Sequence, residues 1–280
     1  MSAKLLGWVL LLYFAGSLTY LVAAVFHQRQ LNGLARGAIL GGWGLHTLSL
    51  LWRWLESHQL NIGHAPLANF YESLLFFSWA VVCVAYLSFW RQMRDYLASF
   101  VAILATLILA YASFGGHASE IMPLMPALKS NWLIIHVITC FLAYAAFALG
   151  FGAALLYFFV SRPAAPQKSR DLQAKLHLTA PELDDLIYRA ILLGLFLLTL
   201  GIITGAVWAE SAWGRYWSWD PKETWSLITW LVYAGLIHAR FARGWQGRRI
   251  AILAVVGFAA VLFTYFGVSF LLPGLHAYLT

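Results

Sequence analysis

A dense cluster of tryptophans is the part of this sequence best suited to hold a flat aromatic ligand. Six of the 14 tryptophans in the 280-residue chain lie in one short segment: Trp208, Trp213, Trp217, Trp219, Trp225 and Trp230. Tryptophan also favours membrane interfaces, but such belts are usually dispersed over several helix ends. Rings gathered in one loop instead offer a stacking surface for a planar ligand. The segment alone leaves both interpretations open, a ligand platform and an interfacial belt.

Two histidines are predicted at the same depth as this cluster. His136 falls in the first outer turns of one apolar run, and His276 follows Pro273-Gly274 just beyond the last run. Two neutral imidazoles beside an aromatic platform can supply both axial ligands of a haem iron. The cations Arg215 and Lys222 lie in the same loop and can face the haem propionates. The alternative is two unrelated interfacial histidines.

Other polar residues in the apolar runs have separate interpretations. His238 is predicted ~20 Å below the outer surface, at 1.5 Å of rise per helical residue, a depth at which ionisable groups are functional candidates. His46, near the middle of another run, is interpreted as a neutral packing residue. The order Asp220, Pro221 and Glu223 is typical of a helix start. We therefore expect Asp220 to fix the geometry of the loop whatever the ligand.

These residues must be positioned by helices within a membrane. Hydrophobic residues make up 62% of the chain and charged residues only 10%. Soluble domains contain about a quarter charged residues. This composition excludes a soluble enzyme, a nucleic-acid binder and a disordered chain. The two cysteines form neither CxxC nor CxxCH, which excludes a dithiol oxidoreductase and a c-type cytochrome. Backbone groups within lipid must bond internally, so long apolar runs predict helices. Eight such runs occur, at about 5–26, 36–55, 70–90, 96–114, 131–160, 187–209, 223–241 and 250–272.

The predicted fold is therefore all-α, a polytopic integral membrane protein with about eight transmembrane helices in a single domain, 1–280. Loops after the odd-numbered runs carry 13 of the 18 basic residues: Arg29, Arg36, Arg91, Arg94, Arg162, Lys168, Arg170, Lys175, Arg189, Arg240, Arg243, Arg248 and Arg249. Because basic loops stay inside, both termini are predicted on the outer side. The tryptophan loop, about 208–225, then faces outward, and the loop at about 161–188 faces inward. Topology thus accounts for the net charge of +7 without nucleic acid.

At these motifs the sequence resembles the CcsA (ResC-type) branch of the cytochrome c assembly family, which also includes the CcmC and CcmF haem-handling proteins. The stretch 205–225 looks like the tryptophan-rich WWD segment of that family. Residues 63–73, 131–136 and 274–278 match further motifs in the same order. The resemblance covers most of the chain.

The resemblance implies that haem b reaches the outer face of an energy-transducing membrane as a transported ligand. There it would lie against the WWD segment, between two axial histidines matching His136 and His276. It would then be attached through thioether bonds to the CxxCH motif of an apocytochrome c. A further intramembrane histidine of the family, thought to hold haem in transit, matches His238. The implied binding segment includes the following residues: Trp208, Trp213, Trp217, Trp219, Asp220 and Trp225.

The resemblance also implies partners and a location. In this branch the synthase activity belongs to CcsA together with a CcsB/ResB-type membrane protein, and a thiol-reducing system acts indirectly. This sequence has no segment like the large soluble region of that partner, so the chain is interpreted as a synthase subunit that cannot work alone. A bacterial inner membrane is favoured, with a thylakoid membrane as the alternative.

Three other functions compete with this interpretation. A haem exporter or chaperone of the CcmC kind would pass haem to another protein, but such chains have fewer spans. A b-type electron-transfer subunit would pair histidines at matching depths within the bilayer, whereas the best pair here, His136 and His276, is predicted at the surface. A purely structural assembly role would involve no haem at all.

Overall fold

Helices form at each of the eight apolar runs. The structure is a computed structural model that describes residues 1–26, 28–91, 93, 95–117, 119–161 and 179–274. The long helices are α1 (Ser2–Val25), α2 (Leu31–Gln59), α3 (Phe70–Ser88), α4 (Asp95–Phe114), α5 (Asn131–Val160), α6 (Ala180–Trp213), α7 (Pro221–Arg243) and α8 (Arg248–Leu262). A π-turn, Phe263–Gly267, joins α8 to a short helix, α9 (Val268–Leu271), the last among the described residues.

Polar side chains cap the starts of two of these helices. The Asn69 side chain accepts a hydrogen bond from the Glu72 amide at the start of α3. Asp220 and Glu223 form a capping box at the start of α7, with Pro221 in the first turn. Such caps pair backbone amides that have no partner within the helix. The helix start predicted at Asp220 is therefore confirmed.

Six of the helices are long and apolar enough to cross a membrane: α1, α3, α4 (from Tyr96), α5, α6 and the last helical stretch, Arg248–Leu271. α2 and α7 are not among these six. The chain is therefore an integral membrane protein. The count of eight spans and the outward termini stay predictions.

The described helices group into two compact units, Met1–Ile134 and Ile135–Thr280. The sequence interpretation treated the chain as a single helical domain. It contains no signal for this boundary, because the boundary falls inside the continuous helix α5 and not at a linker.

A buried ion pair joins α2 to α3 in the first unit. The Arg53 Nε atom donates to Glu72 Oε1 over 2.8 Å, with side chains only 5% and 1% exposed. Arg53 also donates to the Ser119 carbonyl oxygen, and the second Glu72 oxygen accepts the Ala68 amide over 2.8 Å. These bonds tie the loop before α3 and the segment after α4 to one pair of charges. Removal of one partner leaves the other charge buried and uncompensated.

We predict that Glu72→Gln lowers the free energy of unfolding by about 3–5 kcal/mol, the usual cost of breaking one half of a buried pair. Arg189→Gln is the matched control, because the Arg189–Asp185 pair lies on the surface of the second unit with both side chains at least half exposed. An exposed pair contributes at most about 1 kcal/mol. Unfolding with SDS in mixed micelles measures both variants, and equal losses would contradict the prediction.

Small residues bring α5 and α6 close together in the second unit. A Cβ atom built on Gly194, Gly201 or Gly205 of α6 would lie 2.5–2.6 Å from a side chain of α5. The side chains concerned are Phe147, Cys140 and His136, taken in the same order. The numbers fall along α5 as they rise along α6, so the two helices run antiparallel. Small residues let membrane helices approach in this way.

The remaining helices complete this unit around the α5–α6 pair. The Phe147 and Tyr233 rings stack with centroids 3.7 Å apart and planes 4° from parallel, which packs α7 onto α5. Thr229 and Thr264 share a 2.9 Å hydrogen bond between α7 and the π-turn. Arg240 at the far end of α7 pairs with Asp184 of α6 over 2.8 Å. These contacts set the position of α7 in the unit. They therefore also set the position of the loop that joins α6 to the start of α7.

Candidate functional site

The imidazole of His136 is held in a defined orientation by α6. Its Nδ1 atom lies 2.7 Å from the carbonyl oxygen of Gly201. A carbonyl oxygen can only accept, so Nδ1 carries the proton and donates it. The neutral ring then has its lone pair on Nε2, the tautomer that binds a metal through Nε2. Carbonyl acceptors of this kind orient histidine ligands in metalloproteins and raise their basicity.

Two neighbours fix the plane of this ring. Trp208 of α6 stacks on His136 with ring planes 19° apart and centroids 6.0 Å apart. Trp208 is only 1% exposed, so it supports the imidazole from within the helix pair. The space that the imidazole occupies exists because residue 205 is glycine: a Cβ atom there would lie 2.5 Å from His136 Nδ1. Cys140, one turn along α5, packs its sulfur 3.7 Å from the same nitrogen.

The loop that follows Trp208 carries the tryptophans outward. α6 ends at Gly214, whose φ of +73° is left-handed and turns the chain away from the helix axis. Trp219 also has a positive φ, +60°, which is strained for a bulky residue. Its side chain is 68% exposed and meets the Trp217 ring at 87° with centroids 5.7 Å apart. The loop therefore presents Trp219 on the surface of the protein.

Hydrogen bonds at the start of α7 hold Trp219 in this conformation. The Glu223 carboxylate accepts hydrogen bonds from the Ser218 amide over 2.7 Å and from the Asp220 amide over 3.2 Å. It therefore holds the residues on both sides of Trp219. The buried Asp220 carboxylate accepts the Lys222 amide over 2.9 Å. Strain at a functional loop persists where surrounding bonds determine the backbone. Asp220 and Glu223 shape the loop, as the helix-start pattern predicted.

The predicted tryptophans differ in exposure. Trp208 is buried, Trp213, Trp217 and Trp225 are half-buried, and Trp219 is exposed. Trp213 meets the Trp208 ring at 61° with centroids 4.8 Å apart, and Trp225 packs on Phe263 of the π-turn. The indole Nε1 of Trp217 is buried and has no hydrogen-bond partner among the described residues. Such a donor costs free energy until something accepts from it.

The two loop cations lie in different environments. Arg215 is exposed. Lys222 is half-buried, and its Nζ donates to Ser269 Oγ of α9 over 3.0 Å. Burial lowers the pKa of Lys222, and the nearby Asp220 carboxylate opposes that shift. The structure thus separates two residues to which the sequence interpretation gave one role.

Of the other three histidines discussed from the sequence, the structure describes His238 and His46. His238 is exposed on the surface of α7. His46 is fully buried in the first unit, with Nδ1 3.4 Å from the Tyr13 hydroxyl oxygen. His276 lies outside the described residues. Gly274, the last residue described, packs so closely on α7 that a Cβ atom there would lie 2.5 Å from Asp220 Oδ2.

Comparisons with known proteins agree with this architecture. A family model described as "Cytochrome C assembly protein" matches residues 67–276. The chain is 42% identical to the CcsA cytochrome c biogenesis protein of Guillardia theta, over 83% of this chain and 81% of the relative. It is 38% identical to the CcsA protein of Prochlorococcus marinus (strain MIT 9301), over 98% and 94%.

A solved structure shows the same fold at lower identity. The chain "Cytochrome c Heme Lyase CcmF" superposes with a TM-score of 0.71 and 19% identity, over 95% of this chain and 47% of CcmF. The helical arrangement and the sequence relatives define a polytopic membrane protein of cytochrome c maturation. The chain belongs to the cytochrome c assembly family, within the branch of CcsA cytochrome c biogenesis proteins. Haem handling is the general role that this family implies.

We predict that Gly205→Ala disturbs the site because the new methyl group must displace the His136 imidazole. If His136 is a haem ligand, as the sequence predicts, the expected result is loss or alteration of the low-spin haem spectrum of the purified protein. Gly235→Ala is the control, since a Cβ atom at Gly235 of α7 meets nothing within 4 Å. It should leave the spectrum unchanged. Identical spectra for both variants would show that the imidazole position is not critical.

Proposed function

We propose that this chain is the haem-handling subunit of a cytochrome c synthase. It presents haem at the outer membrane face for covalent attachment to the CxxCH motif of an apocytochrome c. The observation that carries this proposal is His136, fixed as the Nε2-ligating tautomer beside a strained loop of tryptophans. A bacterial inner membrane is the favoured location, and a thylakoid membrane is the alternative.

His136 and His276 are the proposed axial ligands of the haem b iron at this outer site. The contact of Gly274 with Asp220 supports the pairing, because His276 follows two residues later in the sequence. Two imidazoles give a low-spin iron, and the protein contributes ligand position and redox poise. Trp208 contributes indirectly through its stacking on His136.

The outer part of the loop is proposed to bind the porphyrin. Trp213, Trp217, Trp219 and Trp225 supply the aromatic rings. The Trp217 Nε1–H has no acceptor among the described residues and suits an acceptor on the ligand. Exposed Arg215 suits a propionate, since guanidinium pairs well with carboxylates. Asp220 keeps the loop in shape. A surface ring such as Trp219 can hold one face of the haem while its vinyl edge stays accessible.

The chemistry needs no oxidant. Each cysteine thiol of the acceptor adds across one haem vinyl group: a carbon–sulfur bond forms, the vinyl π bond breaks, and the thiol proton ends on the second vinyl carbon. Two such additions attach the haem, with the iron ferrous and the thiols reduced beforehand. The chain supplies ligands and orientation, and we assign no acid–base residue to it.

His238 is proposed to hold haem in transit within the membrane. Its exposure on α7 leaves the side chain accessible to a second ligand from another protein. A CcsB/ResB-type membrane partner is the proposed source. The alternative function, delivery of haem to a separate protein without ligation, is favoured by the same observation, since an exposed intramembrane histidine suits a transfer route.

We predict that His136→Ala and His276→Ala each abolish or alter a low-spin haem spectrum in the complex purified with its partner. Each substitution removes one axial ligand. The test is an absorption spectrum of oxidised and reduced protein, followed by attachment assays with a CxxCH acceptor. A haem-free wild-type complex, or haem indifferent to both substitutions, would overturn the proposal. Haem that binds normally without any attachment would support the delivery alternative.

We predict a different result for His238→Ala. Haem supplied externally should still bind the outer site and be attached, whereas attachment that depends on haem from inside should fall at least tenfold. The two sites are separated by most of the length of α7, so the loss should be specific to supply. Equal losses with both haem sources would contradict a transit role.

A further inference from the structure

Lys222 makes a side-chain contact that its place in the tryptophan loop does not require. Its Nζ reaches across to the last helix and donates to Ser269 Oγ over 3.0 Å. The Ser269 hydroxyl in turn donates to the Tyr265 carbonyl oxygen over 2.7 Å, so it receives the ammonium with its remaining lone pairs. A half-buried ammonium with this partner is directed towards α9 and away from the exposed side of the loop.

A second contact joins the same two parts of the chain. The Asp220 carboxylate, two residues before Lys222, lies against Gly274, and a Cβ atom at Gly274 would also lie 3.2 Å from Pro221 Cδ. The start of α7 therefore holds the last described segment, 268–274, at both ends. The contact at Ser269 lies near the beginning of this segment, and the contact at Gly274 lies at its end. This is the segment that leads to His276.

We propose that Lys222 is a positioning residue for the second axial ligand and does not bind a propionate. Its ammonium holds Ser269, and with the Asp220–Gly274 contact it fixes the described segment 268–274 against the start of α7. His276 follows this segment two residues later in the sequence. Since this inference rests on the proposed function, its test separates the position of the segment from the binding of haem.

The first measurement uses the haem-free full chain in detergent. We expect Lys222→Met and Ser269→Ala each to speed amide hydrogen exchange in residues 268–274 by about tenfold or more, because a hydrogen bond to a charged group is lost. The double variant should add little to either single change. Lys222→Arg should largely restore protection. Lys129→Met, at an exposed lysine of the first unit, is the control and should change nothing in this segment.

The second measurement uses the haem-loaded complex with its partner. If Lys222 positions His276, Lys222→Met converts low-spin haem to a high-spin form, and added imidazole restores the low-spin spectrum by replacing the missing ligand. A propionate contact predicts the opposite: unchanged exchange in 268–274, and weakened haem binding that imidazole does not restore. That outcome, or an effect of Lys222→Met without any effect of Ser269→Ala, would overturn the proposal. A wild-type complex without haem would refute the proposed function, while the exchange result would still decide whether Lys222 holds the segment.

Discussion

The hydrogen bond from His136 Nδ1 to the Gly201 carbonyl is the interaction on which the site depends. It determines which nitrogen carries the proton, and therefore leaves Nε2 as the nitrogen that would bind iron in the proposed haem site. A carbonyl inside a helix is usually engaged by the amide four residues on, and its second lone pair is reached only from close by. The bond consequently requires α5 and α6 to approach closely, which the glycines of α6 permit. The tautomer of His136 thus depends on the close packing of α5 against α6.

The loop between α6 and α7 is constrained at both ends, which keeps one of its tryptophans on the surface. At its first end Gly214 releases the chain from α6, and at its second end Glu223 and Asp220 bind it to α7. Between these ends Trp219 is kept in a left-handed conformation that it would not adopt alone. Exposed aromatic surface costs free energy in the unliganded protein. The capping bonds offset this cost at Trp219, whose ring stays exposed.

Much of this arrangement could be predicted from the sequence, and the limits have a physical cause. The helices follow from the length of the apolar runs, and the caps at Asn69 and Asp220 follow from local residue order. The roles of Gly201 and Ser269 could not be predicted. One acts through a backbone carbonyl and the other lies 47 residues from Lys222, so no local pattern marks them. Trp208 was grouped with the outer rings because the sequence does not show that it points inward.

The glycines of α6 show how the site is balanced against stability. Each glycine inside a helix costs about 1 kcal/mol relative to alanine, and Gly194, Gly201 and Gly205 all lie on the face that meets α5. At Gly194 the space is filled by Phe147, whose stacking on Tyr233 stabilises the unit. At Gly205 the space is filled by the His136 imidazole, which stacks on Trp208 and donates to the Gly201 carbonyl oxygen. Helix propensity alone would favour alanine at 205, so the glycine there fits the proposed role of His136, whose imidazole needs the space.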